Sequence, residues 1–224
     1  VSVKLIPLLF LPLFFQYFMS NAGKDSWLRF RESVKNTPRL SLFYLVVIGT
    51  VALTFLPFVS GALAENFGAS IALWFQKFEF NASIYYLIRW YGYQTIGWNI
   101  IGDVGPVLPK IVIGFLLLIT FFRKNRNLQE LITVMVLSIC FYFLLSTTVH
   151  PWYVATPLVL CVFTRYRFPL VWSATVMLSY AAYGASGFQE NLWLVAIEYS
   201  IVIGFFMWEV FILKKKKLSF SSVT

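Results

Sequence analysis

The sequence predicts an all-α protein, a polytopic transmembrane helix bundle of about seven spans with extracytoplasmic interfacial amphipathic helices. Three observations predict it. The chain is 59% hydrophobic, 20% aromatic and only 12% charged, far from the composition of soluble domains. Its apolar runs approach or exceed the roughly 18–20 residues that cross a bilayer core, and they are continuous, unlike the short alternating strands of a barrel. The basic residues sit in short clusters between those runs. That distribution makes the net charge of +9 a matter of membrane topology and excludes a nucleic-acid partner.

The whole of 1–224 reads as a single transmembrane domain. A first span covers 1–19, since Pro7 and Pro12 are tolerated in a membrane helix. The polar stretch 20–40 separates it from a second span at 41–63, which Pro57 is expected to kink. Spans at 107–122 and 128–149 follow. Residues 152–164, about 13 in number, form a short fifth span whose outer end starts below the membrane surface. The sixth and seventh cover 168–185 and 193–213, and Lys214 to Lys217 close the chain. Cys140 and Cys161 fall inside apolar runs and read as core thiols.

Seven spans put 14 of the 18 Lys and Arg residues on one side, in segments 20–40, 123–127, 165–167 and 214–217. The positive-inside rule makes that side cytoplasmic. Segment 64–106, His150 and the 186–192 loop then share the outer face. Val1 also falls outside and is not a start methionine. The expectation is that a signal segment has been removed or that this is the C-terminal piece of a longer protein.

Segment 64–106 is too long and too aromatic for a linker. Phe67, Ile71, Trp74 and Phe78 recur at helical spacing, with Glu65, Gln76 and Lys77 on other faces, the pattern of an interfacial amphipathic helix. Glu79-Phe80-Asn81 interrupts it, and Asn81 is expected to cap a second helix from Ala82 to Tyr91. Gly92, Gly97, Gly102, Gly105, Pro106 and Pro109 mark a turning return to the membrane.

Phosphate-loop, nucleophile-elbow and zinc-helix motifs are absent from the sequence, and no cofactor or metal is expected. The chemistry falls to polar groups on the outer face. His150, the lone histidine, precedes Pro151, Trp152 and Tyr153. The proline pushes it to an extended backbone, and the two rings suit a membrane–water boundary. His150 is an acid, base or hydrogen-bond donor for a bound group, or else a polar residue at a helix end. Lys4 is a partner for a lipid phosphate or a snorkelling cation. Arg89, among Tyr85, Tyr86, Trp90 and Tyr91, binds an anion or stacks on a ring. Glu79, Asp103, Glu65 and Glu190 are the outer carboxylates available as a base. Glu209 reads as reaching the cytoplasmic interface, and Glu198 lies deeper, without an evident role.

Val3-Lys4-Leu5-Ile6-Pro7-Leu8-Leu9, Phe78-Glu79-Phe80-Asn81-Ala82-Ser83-Ile84-Tyr85-Tyr86 and His150-Pro151-Trp152-Tyr153 occur in that order. Together they resemble the C-terminal half of bacterial membrane glycosyltransferases of the GT-C superfold, especially family 87-like mannosyltransferases. The resemblance implies inverting transfer of a sugar, often mannose, from a polyprenyl-phosphate donor to a lipid or glycan acceptor. The reaction would run on the extracytoplasmic face of the bacterial inner membrane. The catalytic base of such enzymes is usually an Asp in an outer loop upstream of the stretch represented here. By resemblance Lys4 and Arg89 would bind the donor phosphate and His150 would take part in catalysis, with Glu79, Asn81, Tyr85, Trp152 and Tyr153 lining the pocket.

A transporter or flippase for lipid-linked or polar substrates is the alternative, and a membrane scaffold the third reading. A transporter calls for midplane charges and internal repeats; Glu198 is the one deep charge and the spans show no repeat. Seven spans also fix a topology. In a variant lacking Cys140 and Cys161, cysteines introduced at Phe75 and Phe188 are expected to label from outside and one at Asn125 from inside. Labelling of all three from one side would overturn the span count.

Overall fold

The apolar runs fold as helices because a chain in lipid must satisfy its backbone polar groups internally. The computed structural model describes residues 6–19, 26–123, 125, 127–184 and 187–221. Among these residues, four helical stretches are long and apolar enough to cross a membrane: Lys35–Phe58, Ile101–Phe122, Leu128–Leu145 and Leu192–Ile212. They correspond to the expected second, third, fourth and seventh spans. The other three expected spans are shorter apolar helices of 10–17 residues, Ile6–Met19, Pro151–Cys161 and Phe168–Ala182.

All three short helices are partly 3₁₀, over Ile6–Leu13, Pro151–Tyr153 and Val176–Ala182. In the first, Pro12 removes a donor from the ladder. A 3₁₀ segment rises about 2.0 Å per residue against about 1.5 Å in an α-helix, so these helices reach further than their residue counts suggest.

The chain divides into two compact units, and the division falls within helix α7 (Leu128–Leu145) after Tyr142. The first unit comprises Val1–Phe78 and Ile100–Tyr142. Here α1 (Phe14–Met19) lies against α2 (Ser26–Phe55), with Phe14 and Phe18 on the Phe43 ring at 4.8 and 5.6 Å. It also meets α6 (Val107–Phe122) through Phe15 and Phe121, 5.8 Å apart. The sequence places a loop at 20–40, but α2 begins at Ser26 and runs through Pro38. Residues 26–35 hold no glycine or proline and several strong helix formers, so the helix continues beyond its apolar part. The expected kink at Pro57 takes the form of a 3₁₀ turn, Leu56–Phe58.

Helix α3 (Leu63–Lys77) packs against the short α5 (Ile101–Val104) in the same unit. Of the expected apolar stripe, Phe67 and Phe78 are exposed. The side chains of Ile71 and Trp74 lie outside the described residues, as does Lys4.

The second unit comprises Glu79–Asn99 and Phe143–Thr224. It holds α4 (Ile84–Thr95), α8 (Ala155–Cys161), α9 (Phe168–Thr175) and α10 (Leu192–Ser221). Helix α4 ends where Gly97 adopts a positive φ of 91° and returns its N–H to the Gly92 carbonyl, a left-handed stop that suits glycine. A hairpin the sequence does not announce joins β1 (Tyr183–Gly184) to β2 (Gly187–Phe188). Its strands are two residues long, too short for an alternating pattern.

Helices α9 and α10 pack through rings, Phe168 on Phe206 at 4.8 Å and Trp172 on Tyr199 at 5.8 Å. In lipid such contacts depend on close fit more than on release of water. Glu209, expected at the cytoplasmic interface, has its partners within this unit. It is buried and accepts the backbone N–H groups of Arg167 at 2.6 Å and Phe168 at 2.9 Å. These are orphan donors at the start of α9, and a carboxylate there also complements the helix dipole. Glu209→Ala leaves both donors unsatisfied and is expected to lower Tm by about 2–10 °C, with Glu209→Gln losing less, in a thermal melt of the purified protein.

Candidate functional site

Helices α3 and α4 are separated by Glu79-Phe80-Asn81, and the backbone groups freed there need partners. Phe80 finds them beside the 147–149 segment as an isolated parallel bridge to Thr148. Its N–H donates to the Thr147 carbonyl at 3.1 Å, and the Val149 N–H donates to its carbonyl at 2.8 Å. Both pieces belong to the second unit, and their pairing brings His150 to the interruption.

His150 has the extended backbone that Pro151 predicts, φ −76° and ψ 148°. It is half-buried among rings. Trp152 stacks on it at 4.4 Å and 8°, Phe80 lies at 5.0 Å, and Tyr153 meets it edge-on at 5.4 Å. Phe80 also touches Tyr183 and Phe188 of the hairpin, each at 5.9 Å. The imidazole therefore sits in an aromatic box with Trp152 about half exposed on its outer side.

Glu79 gathers three donors. It accepts the Tyr85 hydroxyl at 2.6 Å, the Asn99 amide, and the Arg89 guanidinium in an ion pair. Arg89 also lies over the Tyr86 ring, 4.2 Å from its centre. Ion pairing and stacking thus coexist on one side chain. A phosphate at Arg89 would have to share it with Glu79.

Asn81 is not the helix cap expected of it. Ser83 holds the N-cap position, without a side-chain cap bond. Asn81 instead takes a left-handed φ of 47° and is completely buried, a conformation asparagine tolerates better than most residues. Its N–H donates to Glu190 Oε1 at 2.6 Å, its side-chain Nδ2 to Glu198 Oε1 at 3.2 Å, and its carbonyl accepts the Tyr199 hydroxyl at 2.7 Å. Glu198 Oε1 also accepts Trp172 Nε1–H at 2.9 Å. Glu190 takes the Tyr86 hydroxyl on its other oxygen.

Beyond Glu190 a polar recess of about 410 Å³ opens between the hairpin and the start of α10. Gln189, Glu190, Asn191, Gly184 and Gly187 line it; His150 and Arg89 do not. Among the described residues, no three His, Cys, Asp or Glu side chains come together as a metal ion would need.

Of the residues singled out from sequence, Glu79, Asn81, Tyr85 and Arg89 belong to this network, and His150, Trp152 and Tyr153 to the aromatic box beside it. The stacking of Arg89 on a neighbouring ring follows the sequence, with Tyr86 as the ring; Asn99, Trp172, Glu198 and Tyr199, and the bond from Tyr86 to Glu190, do not. They lie up to 118 residues from the groups they bind, and no periodicity reports such pairings.

Burial raises the Tyr85 and Tyr86 hydroxyl pKa values, and hydrogen bonds to Glu79 and Glu190 raise them further. Burial alone would lower Arg89, but the charge and hydrogen bond of Glu79, together with Tyr86 and Tyr85, hold it above its ordinary value. In the unfolded chain the two phenols titrate near 10.0, whereas the folded protein retains their protons to higher pH. The unfolded state then binds fewer protons, so this stabilisation is complete below pH 10 and is lost as pH rises above it. The Tm of the wild type is expected to fall more steeply above about pH 10 than that of the Tyr85→Phe/Tyr86→Phe variant, in melts recorded across the alkaline range.

No protein-family model, curated protein or solved structure matches the chain.

Proposed function

We propose that this chain is the donor-binding half of a membrane glycosyltransferase of the GT-C type, resident in a bacterial plasma membrane. It transfers a sugar, mannose in the first instance, from a polyprenyl-phosphate donor to a lipid or glycan acceptor on the extracytoplasmic side. The proposal keeps seven spans, the three shorter apolar helices crossing where the bilayer thins around them. It also keeps the sidedness given by the basic clusters.

The motif order in the sequence suggests this reading, and one observation carries it. Glu79, Tyr85 and Arg89 form one polar group, Tyr86 under Arg89 links it through Glu190 to Asn81, and Phe80 within the same stretch holds His150. Hydrogen-bonding carboxylates, a guanidinium and stacked rings are what a sugar phosphate needs: acceptors for hydroxyls, a cation for phosphate and a face for the ring. In the transfer an acceptor hydroxyl oxygen bonds to the anomeric carbon while the anomeric C–O bond to phosphate breaks. The phosphate leaves with that electron pair, and the hydroxyl proton passes to a carboxylate base. Arg89 and His150 stabilise the departing charge, and Glu190 orients acceptor hydroxyls in the recess beside it.

A transporter or flippase remains the second reading, favoured by Glu198, a fully buried carboxylate in a helix long enough to span. Radiolabelled polyprenyl-phosphate mannose in proteoliposomes of the full-length protein separates the two, since only a transferase yields a labelled glycosylated acceptor. In the full-length enzyme, His150→Ala is expected to cut transfer at least about tenfold. Undiminished turnover by that variant would remove His150 from the mechanism, and movement of intact donor across a bilayer without transfer would favour the flippase.

A further inference from the structure

We propose that Glu198 carries a proton on Oε2 and shares it with Asn81, closing an acid–amide ring that aims the Asn81 backbone at Glu190. Glu198 is thereby a positioning residue. Its part in sugar transfer rests on the reading above, whereas its protonation does not.

Glu198 lies in α10 with no exposed surface. The groups facing it are neutral donors: the Asn81 amide and Trp172 Nε1–H from α9. Tyr199, next to it on α10, gives its hydroxyl to the Asn81 carbonyl instead. No Lys or Arg among the described residues pairs with Glu198, and Arg89 is engaged by Glu79. An ionised carboxylate enclosed without a cation loses several kcal/mol of solvation that two neutral donors do not restore.

The pattern of satisfied and unsatisfied atoms is more specific. Asn81 Nδ2 donates to Glu198 Oε1, while Glu198 Oε2 and Asn81 Oδ1 are both buried without a hydrogen-bond partner. Glu198 thus lacks a partner on its second oxygen and Asn81 on its one side-chain oxygen, and both oxygens are acceptors unless one carries hydrogen. One proton on Oε2 supplies the missing donor and gives Oδ1 its partner. Oε1 then serves as the carbonyl oxygen, whose two lone pairs receive Asn81 Nδ2–H and Trp172 Nε1–H.

The ring also accounts for Asn81's backbone. A left-handed φ at a residue other than glycine persists where its surroundings hold it. With the side chain locked to Glu198, the Asn81 N–H points at Glu190 Oε1 and its carbonyl at the Tyr199 hydroxyl. Glu190 is the carboxylate that lines the polar recess. Its aim is then set from the interior by a group that touches nothing in that recess.

The test is infrared spectroscopy of the full chain in nanodiscs at neutral pH, where the C=O stretch of a carboxylic acid separates from the carboxylate stretches. The wild type minus Glu198→Gln spectrum is expected to lose an acid C=O band and no carboxylate band. Gln reproduces the ring, with its amide nitrogen donating to Asn81 Oδ1, so Glu198→Gln is expected to melt within about 3 °C of wild type. Glu198→Ala is expected to fall by more than about 6 °C. Glu198→Asp, one methylene too short to close the ring, replaces the alanine variant if that does not fold.

Subtracting Glu190→Gln spectra in each background reads the Glu190 carboxylate stretch. It is expected to be unchanged by Glu198→Gln and shifted by the alanine or aspartate variant. A carboxylate band in the first difference spectrum, or a Glu198→Gln melt as low as that of the alanine or aspartate variant, overturns the ring. A Glu190 stretch indifferent to all Glu198 variants overturns the positioning role. Loss of the glycosyltransferase reading would alter none of these signals, so the two failures are distinguishable.

Discussion

Three residues between two helices govern the second unit. Glu79, Phe80 and Asn81 leave helical geometry, and their polar groups need partners where water is scarce. Phe80 uses the backbone of the 147–149 segment, Asn81 uses Glu190 and Tyr199, and the Glu79 side chain draws in Tyr85, Asn99 and Arg89. The position of His150 follows from the first of these pairings, and that of Glu190 is tied to the second. The interruption is thus the place where distant parts of the sequence are fastened together.

Acidic side chains in this unit are accommodated in different ways. Glu79 has a cation in Arg89. Glu209 has the open N–H groups at the start of α9, which act as a fractional positive charge. Glu190 has a phenol and a backbone amide. Glu198 has only neutral donors on one oxygen, and this difference singles it out. A bare sequence shows four glutamates; their environments divide them into an ion pair, a helix cap, a hydrogen-bonded surface group and an enclosed acid.

Much of the fold was legible because long apolar runs have few ways to fold. Four of the expected spans, and the break at 79–81, could be read from hydropathy and from residues such as Asn81 that favour irregular backbone. The extended His150 followed from Pro151. Boundaries fared worse: α2 runs fifteen residues ahead of the expected start at Ser41 because helix propensity, unlike hydropathy, does not stop at the polar stretch. Local sequence favours a capping role for Asn81, but partners at Glu190, Glu198 and Tyr199 outcompete the adjacent helix. The hairpin at 183–188 and the Glu209 cap went unread because each depends on contacts that neither composition nor period encodes.

The burial of Asn81 also bears on how the protein can be produced. Asn81-Ala82-Ser83 matches the acceptor pattern for N-linked glycans, and the nitrogen that would be glycosylated is the one donating to Glu198. In a eukaryotic secretory host, an oligosaccharide could join this asparagine only before the chain has folded, and the modified side chain would then be too large to enter its site. A bacterial host without that enzyme avoids the competition, and glycan occupancy at Asn81 would mark molecules that never matured.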